Sequence, residues 1–211
     1  YLRDEETGEF WSPTPWPVPG SDQYVVRHQT GCCTFEHRSH EFEQRTECFV
    51  DKEFPAKCTR IRIRNLSKRQ RRLTVTYFVE WVLGNHYEDT SPFIYPDINA
   101  AQNVLLARNM LPRFGHERVA FVTSSAPLHG YTTDRREFLG SARDPARPVG
   151  LKRIGFSGDI SASSEPCGAF QIHIDLGPEQ ETDVSFVLGA ACNRRDAVEL
   201  EVAEDGLVVE F

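Results

Sequence analysis

The sequence predicts an all-β protein in which two antiparallel sheets pack as a sandwich with little helix. Between residues 24 and 188, apolar and polar residues repeatedly alternate with the two-residue period of a half-buried strand. These strand signals recur about every ten residues, and segments rich in turn-forming residues separate them. The strands vary in length, which favours a sandwich over a closed barrel.

The first strands follow a proline-rich opening. Residues 1–20 include Trp and Pro in close succession, so this segment is expected to be an extended loop. Period-two alternation then predicts strands at residues 24–28 and 33–38, and a less regular strand at residues 42–50.

The clearest signal in the chain comes next. Ile61 and Ile63 alternate with three arginines, so one face of this strand is apolar and the other carries guanidinium groups toward water. After a turn at residues 65–72, residues 73–83 again present an apolar face. The two segments are expected to form one long antiparallel hairpin.

The rest of the chain contains three further strand candidates. Alternation returns at residues 118–124, 169–176 and 181–188. Residues 131–150 and 157–166, which are rich in Gly, Ser, Pro and charge, are expected to be loops.

Charge and cysteine content bound the function. The net charge of -7 argues against nucleic acid and anionic lipid as partners, and the basic run at 68–72 fits a solvated turn. No apolar run is long enough to span a bilayer, so no membrane contact by this chain itself is expected. The six cysteines have no metal-ligand spacing. Free thiols and a cytoplasmic location are expected, while attachment of a longer parent protein to the inner membrane stays open.

Catalytic and metal-binding groups are not evident. His37 and His40 form the closest histidine pair, but residues three apart on a strand point to opposite faces. Neighbouring acidic residues such as Asp4 and Glu5 diverge in the same way, and no phosphate-binding glycine loop or nucleophile motif occurs. We therefore expect no catalytic residue, no metal and no cofactor. A sugar enzyme that uses a Glu with two His for acid–base transfer stays open as an alternative.

A mixture of aromatic and charged residues in loops is the best candidate for a binding surface. Aromatic rings pack on the apolar face of a sugar, while Asp and Arg side chains hydrogen-bond its hydroxyl groups. The candidate carbohydrate-binding residues are Trp11, Trp16, Tyr131, Asp134, Arg135, Arg136 and Phe138. The alternative is that these aromatic rings close the edges of the sandwich.

Several sequence motifs resemble one family. They are YLRDEETGEFWSPTP at 1–15, FEHRS at 35–39, LTVTYFVEWVLG at 73–84, LARN at 106–109, RVAF at 118–121 and TDRREFLG at 133–140. In this order they resemble the amino-terminal β-sandwich of glycoside hydrolase family 94, the cellobiose and chitobiose phosphorylases. They are most similar to the carboxy-terminal phosphorylase-like region of cyclic β-1,2-glucan synthases, up to about residue 192.

The resemblance implies a fold and a division of labour. In that family a sandwich of the galactose-mutarotase-like, or supersandwich, type precedes an (α/α) barrel that holds the general acid and the phosphate site. The chain is thus expected to be a non-catalytic module that shapes the glucan site of that barrel. The implied partners are a β-glucan oligosaccharide, the catalytic barrel and a second copy of the chain. A purely structural or dimerisation domain and a mutarotase-like sugar enzyme are the alternatives.

The resemblance divides the chain into two segments. Residues 1–192 are expected to be the sandwich, and the first strands of the family's sandwich are expected to be missing from it. Residues 193–211 depart from the family pattern and alternate like strands, so this tail is expected to pair with an exposed sheet edge.

Overall fold

Two antiparallel sheets and one small hairpin make up the fold. The structure is a computed structural model that describes residues 1–111, 118–160, 165–202 and 208–210. Every strand pair within these ranges is antiparallel. The predicted all-β sandwich is confirmed.

The smaller sheet has five strands. They are β1 (Leu2–Asp4), β2 (Phe10–Trp11), β7 (Arg71–Glu80), β11 (Gly130–Asp134) and β12 (Pro166–Leu176). Their order across the sheet is β11, β12, β7, β1, β2. The sheet therefore has β11 at one edge and β2 at the other.

The larger sheet has eight strands. They are β3 (Tyr24–Gln29), β4 (Cys32–Ser39), β5 (Phe42–Val50), β6 (Ala56–Asn65), β8 (Ile94–Asn99), β9 (Val104–Asn109), β10 (Val119–Ser124) and β13 (Glu181–Ala191). Their order is β3, β4, β5, β6, β13, β10, β9, β8.

The main core fills the space between the two sheets. Ile61 and Ile63 of β6 are buried there, opposite Leu73 and Val75 of β7. Other buried members are Leu2, Phe42, Trp81, Val122, Phe170, Ile172, Val184 and Phe186. The predicted faces of these strands are confirmed, because the arginines that alternate with Ile61 and Ile63 lie partly exposed on the other side.

Short helices cover part of the outer face of each sheet. On the larger sheet, α3 (Arg194–Val198) packs over a cluster that contains Cys58 and Phe121. On the smaller sheet, α2 (Arg135–Leu139) and the 3-10 turn Val149–Lys152 pack over Ala169. These covers explain why some strand residues are buried on both faces.

The predicted hairpin of β6 with β7 is wrong. β6 pairs with β5 and β13 in the larger sheet, whereas β7 pairs with β1 and β12 in the smaller one. The turn after Asn65 carries the chain from one sheet to the other. Alternation shows which face of a strand is buried, but two strands that face each other across a core have the same pattern as two neighbours in one sheet.

Two predicted loops contain strands. Residues 1–20 hold β1, which lies between β7 and β2, and residues 131–150 begin inside β11. All three residues of β1 are buried, so the strand has no period-two pattern to detect. The part of the predicted loop 157–166 that spans 161–164 lies outside the described residues.

The remaining elements are short. They are α1 (Tyr87–Thr90), the 3-10 turns Ser91–Phe93 and Ala100–Gln102, and the strands β14 (Leu200–Val202) and β15 (Val208–Glu210). β14 pairs with β15, so the expected pairing of the tail with an exposed sheet edge is wrong for these residues. Residues 203–207 and 211 of the tail lie outside the described ranges. Within those ranges, no helix has the length and apolar character to cross a bilayer.

Candidate functional site

The seven predicted binding residues lie in two separate places. Trp11 ends β2, and Trp16 follows in the next loop. Tyr131 and Asp134 belong to β11 at the opposite edge of the five-stranded sheet. Three strands lie between these edges, so at ordinary strand spacing they are roughly 20 Å apart. The seven residues therefore do not form one surface.

Two of the seven are core residues. Trp11 is 1% exposed, donates a 2.9 Å hydrogen bond from Nε1 to Gln44 and stacks on His40. Phe138 is fully buried and stacks on Phe78 with 4.5 Å between ring centroids. A ring with almost no exposed surface cannot pack on a sugar. The alternative assignment, in which aromatic rings close the sandwich, fits these two.

Trp16 is the opposite case. Its side chain is 68% exposed in the loop between β2 and β3. The hydroxyl of Thr14 donates a 2.7 Å hydrogen bond to the Trp16 carbonyl oxygen, which orders the loop backbone. The ring is open to solvent but distant from the charged candidates at β11.

The charged candidates gather where β11 runs into α2. The Asp134 side chain accepts a 2.9 Å hydrogen bond from the Arg136 backbone N–H and so caps α2. The Arg135 backbone N–H donates to the carbonyl oxygen of Glu165, which immediately precedes β12. This backbone contact brings Glu165 under the arginines of α2.

Glu165 organises this corner although sequence reasoning missed it. Its carboxylate accepts 3.3 Å hydrogen bonds from Arg136, pairs closely with Arg143 and lies 3.6 Å from Arg135. We call these four residues the arginine corner. A lone Glu in a loop gives no sequence signal for this role, because its partners are 22 to 30 residues away along the chain.

Electrostatics keep Glu165 ionised. Burial by itself raises the pKa of its carboxyl, but the guanidinium groups of Arg143 and Arg136 outweigh burial and hold the pKa below its usual range. Its side chain is 8% exposed, whereas those of Arg136 and Arg143 are 66% and 54% exposed. The buried anion thus anchors two arginines whose outer surfaces remain in water.

Arg135 is held differently. Its side chain is only 16% exposed and pairs closely with Glu80 at the end of β7. Its guanidinium carbon lies 5.8 Å from the centroid of the Tyr87 ring. Because Arg135 is held by these contacts, its role in the corner is structural. Arg136 and Arg143 are the arginines of the corner that face solvent.

A second polar region lies on the outer face of the eight-stranded sheet. Here charges alternate across β3, β4, β5, β6 and β13, and we call this region the charged face. Its members include Arg27, Glu36, Arg38, Glu43, Arg45, Glu47, Arg60, Arg62, Arg64, Glu181 and Asp183. An open cavity of about 560 Å³ lies over it, lined by residues such as Glu36, Arg45 and Arg62.

Most of the charged side chains of this face form ion pairs with one another. Asp183 accepts hydrogen bonds from both Arg60 and Arg62 at 3.0 to 3.2 Å. Arg45 reaches Glu47 at 2.8 Å and Glu36 at 3.4 Å. The sequence predicted part of the charged face, because the arginines that alternate with Ile61 and Ile63 in β6 were interpreted as facing water.

One Glu and two His meet on the outer face of the five-stranded sheet. The rings of His129 and His173 have centroids 3.5 Å apart. The hydroxyl of Thr74 lies 3.0 Å from His173 Nδ1 and 2.5 Å from Glu5. Burial, with help from His129, lowers the pKa of His173. These groups are not among those that line the cavity of the charged face.

Metal binding has no geometric support within the described ranges. No three His, Cys, Asp or Glu side chains converge there to hold an ion. His37 and His40 stack on different rings, those of Tyr24 and Trp11.

Sequence comparison decides the family. The family model for the supersandwich domain of glycosyl hydrolase 94 matches residues 1–203. The chain belongs to this family. The resemblance drawn from its motifs is confirmed, and so is the supersandwich type of its two sheets.

The relatives of this supersandwich domain are much longer proteins. It is 30% identical over 204 residues to solabiose phosphorylase of Paenibacillus borealis, covering 95% of this chain and 27% of that protein. It is 33% identical over 195 residues to cyclic beta-(1,2)-glucan synthase NdvB of Rhizobium meliloti (strain 1021), covering 92% and 7%. Against N,N'-diacetylchitobiose phosphorylase of Vibrio proteolyticus the identity is 26%, covering 90% and 24%. The domain therefore spans about a quarter or less of these relatives.

Solved structures with a similar arrangement include two from other enzymes. A heparan sulfate lyase from Pedobacter heparinus aligns over 86% of the supersandwich domain and 23% of its own chain, with a TM-score of 0.47 and 9% identity. A galactose mutarotase related enzyme from Lactobacillus acidophilus aligns over 82% and 73%, with a TM-score of 0.43 and 11% identity.

Proposed function

We propose that this supersandwich domain is a non-catalytic module that turns its arginine corner toward a β-glucan held by a catalytic domain of the same protein. The relatives named above include two phosphorylases of disaccharides and a synthase of cyclic β-(1,2)-glucan. Each of them has a length several times that of this domain. The reacting groups are proposed to belong to the remainder of such a protein.

The observation that carries the proposal is the geometry around Glu165. Arg136 and Arg143 are more than half exposed, yet both are fixed by one buried carboxylate. A long side chain normally loses rotamer freedom when it binds a ligand, and this anchoring removes part of that cost in advance. Pre-organised donors on a surface are what recognition of a hydroxyl-rich ligand requires.

The chemistry of the corner fits a neutral sugar. Guanidinium N–H groups donate hydrogen bonds to hydroxyl oxygens, and the side chains of Arg136 and Arg143 are 66% and 54% exposed, so a ligand can reach them. Tyr131 of β11 is half-buried and packs against the core between the two sheets, so its ring is not counted as part of this surface. Trp16 lies too far away to join this surface.

Calorimetric titration with linear β-1,2-linked glucooligosaccharides tests the proposal. The domain is expected to bind with a Kd in the millimolar range, about -4 kcal/mol, as suits a subsite completed by another domain. The double variant Arg136→Ala with Arg143→Ala is expected to weaken binding at least about tenfold, since hydrogen bonds from charged donors are lost. Glu165 stays in place in this variant.

Arg38→Ala is the matched control. Arg38 is an equally exposed arginine, but it lies on the charged face and pairs with Glu43. Its removal is expected to leave the affinity unchanged. The absence of any binding heat up to tens of millimolar glucan would reject the proposal. If only Arg38→Ala weakened binding, the glucan-binding site would be assigned to the charged face instead.

A second role as a dimerisation domain is favoured by the sheet edges. β8 contains Pro96, β2 has two residues and β11 has a register shift between Thr132 and Asp134. Each of these features discourages the addition of another strand. β3 has none of them, pairs regularly with β4 over its full length and exposes Val25 and Val26. We propose that β3 pairs with β3 of a second copy.

Sedimentation across a concentration series tests this role. The chain is expected to form dimers that Val26→Lys converts to monomers, because a lysine on an edge strand opposes strand addition. Val50→Lys, a substitution of another exposed valine in β5, is expected to leave the dimer intact. Monomers at every concentration of the unmodified chain would contradict the proposal.

A further inference from the structure

Three reactive side chains line up on adjacent strands at one end of the larger sheet. His28 of β3 lies opposite Cys33 of β4, and Cys33 lies opposite Cys48 of β5. Residues directly opposite in an antiparallel pair point to the same face. The three side chains therefore form a row next to the exposed edge strand.

The first contact of the row is between an imidazole and a thiol. Nδ1 of His28 lies 3.1 Å from Sγ of Cys33, within hydrogen-bond reach, and His28 is exposed to solvent. An imidazole at this distance can accept the thiol proton and leave the thiolate, which is the nucleophilic form of cysteine. Cys33 itself is half-buried, which leaves it accessible to a small reagent.

The second contact is between two cysteines that can be bridged. Directly opposite residues of an antiparallel pair have Cα atoms about 4.5 or 5.5 Å apart, and both separations lie within the range of a disulfide. Cys33 and Cys48 are such a pair. Cys32 precedes Cys33 on the strand and so points to the opposite face, where its cross-strand partner is Phe49.

We propose that Cys33 is a peroxide-reactive thiol and that Cys48 resolves its oxidised form into a disulfide. The oxidant is a hydroperoxide such as hydrogen peroxide. The Cys33 thiolate attacks one peroxide oxygen, the O–O bond breaks, and the products are a sulfenic acid and hydroxide. The Cys48 sulfur then attacks the Cys33 sulfur, the S–O bond breaks, and the Cys48 proton leaves with the oxygen as water. Overall two thiols are oxidised and one peroxide is reduced to two waters.

The surroundings of Cys48 suit the second step. Burial raises the pKa of its thiol, and the nearby Lys57 and Thr59 lower it to a smaller extent. Cys48 therefore remains a protonated thiol at neutral pH and does not compete with Cys33 for the oxidant. It reacts once the sulfenic acid forms at its side.

The experiment uses the intact chain, hydrogen peroxide and peptide mapping without reduction. The expected product loses two hydrogens in mass and contains one crosslinked peptide that joins Cys33 to Cys48. In Cys48→Ser the reaction is expected to stop at the sulfenic acid, which dimedone captures at Cys33. In His28→Gln the rate of Cys33 oxidation is expected to fall at least about tenfold, because the proton acceptor is lost.

Cys192 supplies an internal reference. It is an exposed free cysteine directly after β13. Oxidation of Cys33 no faster than that of Cys192, or a crosslink between any other pair, would overturn the proposal. An unchanged rate in His28→Gln would overturn it as well. Circular dichroism checks that each variant is folded. If a variant is unfolded, the peptide map of the oxidised, unmodified chain still shows whether Cys33 and Cys48 are crosslinked.

Discussion

Replacing Arg71 by methionine is expected to lower the free energy of unfolding by about 3 to 5 kcal/mol, because it leaves the carboxylate of Asp4 buried without its partner. Both side chains are 2% exposed. The pair joins the start of β7 to the end of β1, where the chain has just entered the smaller sheet. Methionine has a volume similar to that of arginine, so the decrease in the free energy of unfolding is caused by the lost charge and not by a cavity.

The surroundings of Arg71 explain the size of this effect. Its guanidinium contacts Asp4 closely, reaches Glu41 at 3.0 Å and lies 4.8 Å from the centroid of the Phe42 ring. These contacts come from β1, β5 and the turn before β5. One side chain therefore ties both sheets together. In the variant Asp4 keeps its hydrogen bonds from the Glu6 backbone N–H and the Thr7 hydroxyl but loses its ion pair.

The next residue in the sequence is the matched control. Arg72 forms a two-point ion pair with Asp175 at 2.7 Å, but the two side chains are 56% and 45% exposed. Exposed pairs contribute about 0 to 1 kcal/mol, so Arg72→Met is expected to change little. Urea unfolding followed by circular dichroism measures both variants. Equal losses would contradict the assignment of a special role to burial.

Acid is expected to weaken the contribution of Asp4. Burial by itself raises the pKa of this carboxyl, but the Glu6 backbone N–H and Arg71 outweigh it, so the folded pKa lies below the ordinary 3.8. The unfolded chain then binds the proton more readily than the folded one, and this stability is lost as pH falls below 3.8 through the folded pKa. The cost of Asp4→Asn should therefore be largest near pH 7 and shrink at pH 3. A constant cost would reject this linkage.

Alternation in the sequence was sufficient for many of the strands and for their buried faces. Ile61 and Ile63 point into the core, as predicted, because the period-two pattern follows directly from the geometry of a strand. It was not sufficient for pairing, since β6 and β7 share the pattern but lie in opposite sheets. Short strands that are buried on both faces, such as β1, gave no signal at all.

The candidate site was predictable only in part. The run from Asp134 to Phe138 does form a surface corner, but composition could not separate the exposed Arg136 from the buried Phe138. Aromatic rings occur both at binding sites and at core rims, so their presence alone does not decide between them. Glu165 was missed because its role depends on contacts that form only when β11 and β12 pair.

The chain crosses between the two sheets at several points, and the Asn65 side chain holds two of these crossings, from β6 to β7 and from β12 to β13. Its side-chain NH₂ donates to the carbonyl oxygens of Arg69, Leu176 and Gly177 at 2.8 to 3.2 Å. Its side-chain oxygen accepts from the backbone N–H and the hydroxyl of Ser67. Asn65 has no exposed surface, so these hydrogen bonds have no competition from water.

Asn65→Asp is therefore expected to lower the free energy of unfolding by at least about 3 kcal/mol, because it sets a buried carboxylate against three carbonyl oxygens that have lost their donor. The shape of the side chain is unchanged, so packing does not contribute. Asn99→Asp is the control, since the Asn99 side-chain oxygen accepts a hydrogen bond from the Gln102 backbone N–H and aspartate keeps that oxygen. Thermal and urea unfolding of both variants measure the difference. If Asn65→Asp is no less stable than Asn99→Asp, the two crossings are held by the packing of β6 and β12 and not by this amide.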